Sequence, residues 1–143
     1  MTTLNIPPTE HTPKILFDFE NLQKGEYIFE ISGESKPEDV KEFYSPVLNW
    51  LDNLQKELKI YQEAEDTRKR KIRMKFQMDY FNSSSAKLLF DIIQKMEEIQ
   101  TNCHNSGIKI LWQYHPQDVD MLESGEEFKS MTTIPFEMEA LKF

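Results

Sequence analysis

Three observations in the sequence predict an α/β fold, a mixed β-sheet with its helices mainly on one face. The first is a set of short runs in which apolar and polar residues alternate, the pattern of strands with one apolar side. The second is a pair of long segments with apolar residues three and four apart, the pattern of amphipathic helices. The third is their order, β-β-α-β-α-β, followed by a short helix and a final extended stretch. A short loop between two strands makes them antiparallel, whereas a strand–helix–strand unit makes its strands parallel through a right-handed crossover. The length of 143 residues is about one domain, and 38% hydrophobic residues with ten Phe are enough for a core.

Residues 1–13 contain three prolines and little hydrophobic pattern, so a flexible, loosely attached arm is expected, with one domain spanning 14–143. Ile15, Phe17 and Phe19 then alternate with Leu16 and Asp18. A turn over Asn21-Leu22-Gln23-Lys24-Gly25 leads to Tyr27, Phe29 and Ile31, which makes a hairpin. The run from Ser32 to Pro37 is expected to break the second strand. Pro37, Glu38 and Asp39 then suit the opening of a long helix, whose stripe is Val40, Tyr44, Val47, Leu51, Leu54 and Leu58. Pro46 inside that stripe is expected to kink the helix or mark its true start. The charged segment Glu63 to Lys71 reads as a solvated helix end and loop. Ile72, Met74, Phe76, Met78 and Tyr80 form the clearest strand. After Asn82-Ser83-Ser84-Ser85 a helix carries Leu88, Leu89, Ile92, Ile93, Met96 and Ile99, with a C-cap expected between Asn102 and Gly107. Ile108, Ile110, Trp112 and Tyr114 form the next strand. Asp118 to Met131 reads as a short acidic helix or turn, and Thr132 to Phe143 as an extended segment or tail.

Charge and composition narrow the function. Seventeen basic against 25 acidic residues leave a net charge of -8, a field that repels phosphate backbones. A nucleic-acid-binding module built on the basic segment Arg68 to Lys75 is therefore the minor alternative, and no nucleic acid is expected as partner. The single cysteine, Cys103, has no internal disulfide partner, and the first twelve residues carry neither a basic nor an apolar leader pattern. The expected location is the cytoplasm, with no membrane partner. Enzyme signatures are weak. The four glycines form no phosphate-binding loop, and His11, His104 and His115 have no metal-ligand spacing. The acidic run from Asp118 to Glu127 departs from the order of a calcium loop, so a solvated helix is the better reading. Neither a cofactor nor a metal is expected.

Parallel strands direct their C-terminal ends to one sheet edge, where helix N-termini also gather. Three loops should meet there: Gly33 to Pro37, Asn82 to Ser85 and His115 to Asp118. The Asn82 run offers more capping residues than one helix needs, and thus hydroxyls displayed at a helix N-terminus. A phosphate there would add about -1.5 to -2 charges and be accepted by the helix-end amides. Glu34, Glu38, Asp39 and Asp118, expected on the same edge, would feel the repulsion. Such a modification would change recognition more than fold.

Six stretches, in this order and spacing, form a pattern: Ile6-Pro7 with Thr12-Pro13, Ser32-Gly33-Glu34-Ser35 with Pro37-Glu38, Tyr80-Phe81-Asn82-Ser83-Ser84-Ser85, Trp112-Gln113-Tyr114, Asp118 through Phe128, and Ile134-Pro135-Phe136. In them the chain resembles the SiaC-type regulatory phosphoproteins, a bacterial family with a STAS-like, anti-sigma-factor-antagonist-like architecture. The resemblance implies a non-enzymatic partner-switching protein for signal transduction. A Ser/Thr protein kinase phosphorylates the hydroxyl residue after the junction Asn, and a PP2C-type phosphatase removes the phosphate. The unphosphorylated form binds and activates a client, a diguanylate cyclase, promoting cyclic-di-GMP signalling and biofilm formation. Carried over, the phosphoacceptor is Ser83, with Ser84 and Ser85 as alternatives because position 83 is Ser where the family's best-known pattern has Thr. The partner-binding surface it implies comprises Gly33, Glu34, Ser35, Asn82, Ser83, Ser84, Tyr114 and Asp118.

Overall fold

The computed structural model describes residues 1–22, 24–65 and 68–142. In chain order the elements are β1 (Leu4–Ile6), β2 (Lys14–Phe17), β3 (Glu26–Ser35), α1 (Val40–Glu63), β4 (Arg70–Phe81), α2 (Ser83–Asn102), β5 (Ser106–Tyr114), α3 (Val119–Ser130) and β6 (Phe136–Ala140). The six strands lie side by side in the order of the sequence. β1, β2 and β3 pair antiparallel, while β3 to β6 pair parallel through the three helices. Because the parallel strands advance in one direction, successive right-handed crossovers place all three helices on the same face. The fold is thus two layers, as the alternating strands predict.

Strand register turns alternation into a core. One row runs Phe17, Phe29, Met74, Ile110 and Phe136 across five strands, and the next runs Ile15, Ile31, Phe76, Trp112 and Met138. Most of these side chains are fully buried against Tyr44, Val47, Leu51 and Leu54 of α1 and Leu89, Ile92, Ile93 and Met96 of α2. The opposite face carries a row of Leu16, Glu30, Lys75, Leu111 and Glu137, which mixes charges of both signs with leucines. Lys14 pairs with Glu30 at 3.5 Å and Lys109 with Glu137 at 2.7 Å across it.

The short helix α3 is anchored by one side chain. Trp112 packs against Phe128 of α3 at 5.4 Å between ring centroids and donates its indole N–H to the Met121 carbonyl at 3.0 Å. Gly125 makes this possible, since a Cβ there would overlap the indole ring and the Met138 methyl.

Several expectations need correction. The expected arm is partly sheet: Leu4 and Ile6 pair with Phe17 and Ile15, and the Thr2 carbonyl accepts the Trp50 indole N–H at 2.8 Å. Pro7 and Pro8 obscure this strand in the sequence because it is only three residues long. β3 does not end at Ser32 but continues to Ser35, because Gly33 (φ 107°) sits at a register shift and lets the strand go on. Pro46 neither starts nor ends α1, which begins at Val40. Its missing N–H would have paired with the carbonyl of Glu42, and both residues are exposed. The helix α2 ends where expected, with Cys103 as its C-cap, and Gly107 lies within β5. The turn expected over Asn21 to Gly25 includes Gln23, which lies outside the described residues. Its second half has Lys24 and Gly25 at positive φ.

Gly33 yields the first prediction. Its φ of 107° lies where a side chain is strained. The nearest neighbour an added Cβ would meet is the Pro13 Cα at 3.8 Å, so there is room but not conformation. Gly33→Ala is expected to lower unfolding free energy by about 1–3 kcal/mol. Urea denaturation checks this, and a loss below a few tenths of a kcal/mol would refute the strain.

Candidate functional site

All three helices begin at the same sheet edge, each with a carboxylate or amide cap. Asp39 accepts the Glu42 amide at 3.0 Å, Asn82 the Ser85 amide at 2.9 Å, and Asp118 the Met121 amide at 3.0 Å. The caps differ in charge. The ends of α1 and α3 carry an aspartate cap plus an acid in the first turn, Glu42 and Asp120 respectively. The end of α2 has a neutral cap and no acid in its first turn. Its positive dipole end is therefore the one left uncompensated. With the Ser85 amide taken by the cap, the orphan donors of that turn are the amides of Ser83 and Ser84.

The three serines there have different surroundings. Ser83 is exposed, and its hydroxyl has no hydrogen bond among the described residues. Ser84 is exposed and donates to the Asn82 side-chain oxygen at 3.3 Å. Ser85 is fully buried, as is Ser35. Two expectations fall here: Ser85 is not an accessible acceptor, and Ser35 is not a partner-facing side chain. Both point inward because β3 and α2 close against α1 at this corner. The Asn82 amide donates to the Ser35 carbonyl at 3.1 Å, so the end of β3 and the cap of α2 form one unit. Glu34 stays near the surface, 3.6 Å from Lys36.

Tyr114 and Asp118 belong to a second feature of the same edge. They line an open cleft of about 470 Å³ at the ends of β4 and β5, with Gln77, Asp79, Gln113 and Leu141 among the other walls. The end of β4 links the two features, since Asp79 lines the cleft and Asn82 caps α2. Asp79 reads in the sequence only as a polar residue of an alternating strand. Leu141 has no sequence signal, since only the β5–β6 pairing brings it here; its amide donates to the Tyr114 carbonyl at 2.8 Å. Tyr80 is 48% exposed and Val119 59% exposed, which adds apolar surface at the ends of the same elements.

The other candidates disperse. Across the basic segment, Arg73 lies 3.3 Å from Glu26, and the Arg70 guanidinium sits 3.8 Å from the Tyr61 ring centre. Lys75 lies in the row that holds Glu30 and Glu137. This is a face of alternating sign, unlike a phosphate-tracking groove. Asp66 and Thr67 of the charged connection lie outside the described residues. Among the described residues no group of three or more His, Cys, Asp or Glu is arranged to hold a metal ion, and no helix is long and apolar enough to cross a membrane.

Comparison with known proteins gives the family. The profile of the SiaC family regulatory phosphoproteins matches residues 6–141. The chain belongs to the SiaC family. An uncharacterized protein of Pseudomonas aeruginosa (strain UCBPP-PA14) is 28% identical over 142 residues, 98% of each chain. Apo-SiaC from Pseudomonas aeruginosa superposes with a TM-score of 0.76 at 28% identity, covering 98% of this chain and 100% of that one. A chain from the crystal structure of the diguanylate cyclase SiaD in complex with its activator SiaC, from the same organism, gives a TM-score of 0.74 at 26% identity. That match covers 96% of this chain and 99% of that one. The six-stranded sheet with three helices is thus the SiaC-family fold, and the protein is a regulatory phosphoprotein.

Proposed function

We propose that this protein is a non-enzymatic phospho-switch whose unphosphorylated form binds and activates a diguanylate cyclase in the cytoplasm. A Ser/Thr kinase places a phosphate on Ser83, and a PP2C-type phosphatase removes it. One observation carries the assignment: the Ser83 hydroxyl, exposed and without a hydrogen bond among the described residues, opens α2, whose first turn has no acid, unlike those of α1 and α3. A phosphate there meets the Ser83 and Ser84 amides and the helix dipole, so the fold tolerates it. The same dianion faces the edge that holds Glu34 and Asp118, and turns that edge strongly negative. In Pseudomonas aeruginosa SiaC is the activator in complex with SiaD, which supports a cyclase as the client.

Mass spectrometry of the protein recovered from its native cell tests the switch. A gain of about 80 Da, one phosphate, is expected on the Ser83 peptide and should vanish with phosphatase. A chain that carries no phosphate under any growth condition would overturn the reading.

A further inference from the structure

We infer that the buried hydroxyls of Tyr44, Ser35 and Ser85 position the acceptor turn, so that the phosphate goes to Ser83 rather than to its neighbour Ser84. The inference rests on the phospho-switch reading above and adds the residues that choose the site. The three side chains come from α1, β3 and α2, and all are fully buried. The Ser85 Oγ donates to the Ser35 carbonyl at 3.0 Å, and the Ser35 Oγ donates to the Ser85 Oγ at 2.8 Å. The Ser35 proton being used, the 2.6 Å contact between Ser35 Oγ and Tyr44 OH has Tyr44 as donor. The protons thus run one way, from Tyr44 to Ser35 to Ser85 to the Ser35 carbonyl. That carbonyl also accepts the Asn82 amide at 3.1 Å, which fills both of its lone pairs. Burial pushes the Tyr44 hydroxyl up to about 12, so it stays a donor at any cellular pH.

The register of the sheet brings these groups together. Gly33 lies opposite Met78 but Glu34 lies opposite Tyr80, and this one-residue slip sets Ser35 beside Phe81, directly before the cap. Ser85 is thereby pulled beneath the turn. The first turn of α2 is fixed with the Ser83 hydroxyl outward and the Ser84 hydroxyl turned back to Asn82. Phosphoryl transfer needs its acceptor oxygen in one place relative to the donor phosphate, so a fixed turn favours one serine over the next. Tyr44, Ser35 and Ser85 are positioning residues: they touch neither the phosphate nor a partner.

Tyr44→Phe removes only the first donor of the relay, and Ser85→Ala removes its last. Each variant, made in the full chain and expressed in the native cell, is mapped for phosphate on Ser83 against Ser84. The expected result is phosphate mostly on Ser83 in the parent and a ratio of Ser83 to Ser84 at least about threefold lower in both variants, the scale of one lost hydrogen bond. Hydrogen exchange at the Ser85 and Ala86 amides should quicken by about threefold to tenfold in purified Tyr44→Phe. A uniformly weakened fold would lower total phosphate without moving the ratio. A parent phosphorylated on Ser83 with an unchanged ratio in both variants would overturn the positioning role alone. A parent without phosphate would overturn the switch and this inference with it.

Discussion

Ser83→Asp is expected to weaken binding of the proposed diguanylate cyclase client by at least about 100-fold, near 3 kcal/mol, while leaving the fold intact. The two halves of this result have separate causes. Within the chain, a carboxylate at the first helical position of α2 compensates a dipole end that carries no acid. That is worth a stabilising 0.3 to 1 kcal/mol, by the usual scale of about that size for exposed helix termini. At the proposed interface, the same charge joins Glu34 and Asp118 on an edge that a partner would have to desolvate. A buried charge without a counterion costs several kcal/mol, far more than the helix gains. Calorimetric titration of the client with the parent, Ser83→Asp and Ser83→Ala checks the affinity, and thermal denaturation checks the fold. Ser83→Ala should bind like the parent, since that hydroxyl makes no hydrogen bond among the described residues. Parent-like affinity in both Ser83→Asp and the true phosphoprotein would sink the switch.

Trp112→Ala is expected to lower unfolding free energy by about 3–5 kcal/mol, a large share of the roughly 5–15 kcal/mol typical of a domain. Trp112 is fully buried and lies 5.5 Å from Phe76, 5.4 Å from Phe128 and 6.2 Å from Phe136 between ring centroids. It reaches from the sheet to α3 by both ring packing and a hydrogen bond, so its loss leaves a cavity and a Met121 carbonyl without its donor. Gly125 makes the damage worse, because it has no side chain with which to fill the gap. The loss should be local as well as global. Amides of α3 and β6 should exchange faster than those of α1, and the Asp118 end of the cleft should loosen with them. Guanidinium denaturation with hydrogen exchange tests this. A loss under about 1.5 kcal/mol would mean that the neighbouring aromatics collapse into the space.

The elements themselves could be read from residue patterns. Alternation marked β2 through β5, and the three-and-four spacing marked α1 and α2, because those periods follow from backbone geometry that each segment carries alone. Asn82, expected as the start of a helix, is its cap, and Asp118 caps α3. Local patterns failed where a partner strand decides the conformation. Leu4 to Ile6 is too short to show a period and is a strand only because β2 lies beside it. Ser32 to Ser35 has the composition of a turn, yet it pairs with the end of β4.

Ser83 as the expected acceptor came from its place after Asn82 and from the family likeness. Ser83, Ser84 and Ser85 are chemically the same residue, so nothing local could rank them. Burial removes Ser85 and a hydrogen bond to Asn82 turns Ser84 back, and the burial depends on where α1 and β3 lie in space. Tyr44 shows the same division: its spacing places it in the core stripe of α1, but only the slipped register at Gly33 brings Ser35 to its hydroxyl. Periodicity and capping act over a few residues and are written in the chain. Which hydroxyl faces water and which is locked inside depends on contacts between residues 50 positions apart, such as Ser35 and Ser85, and these exist only once the sheet has formed.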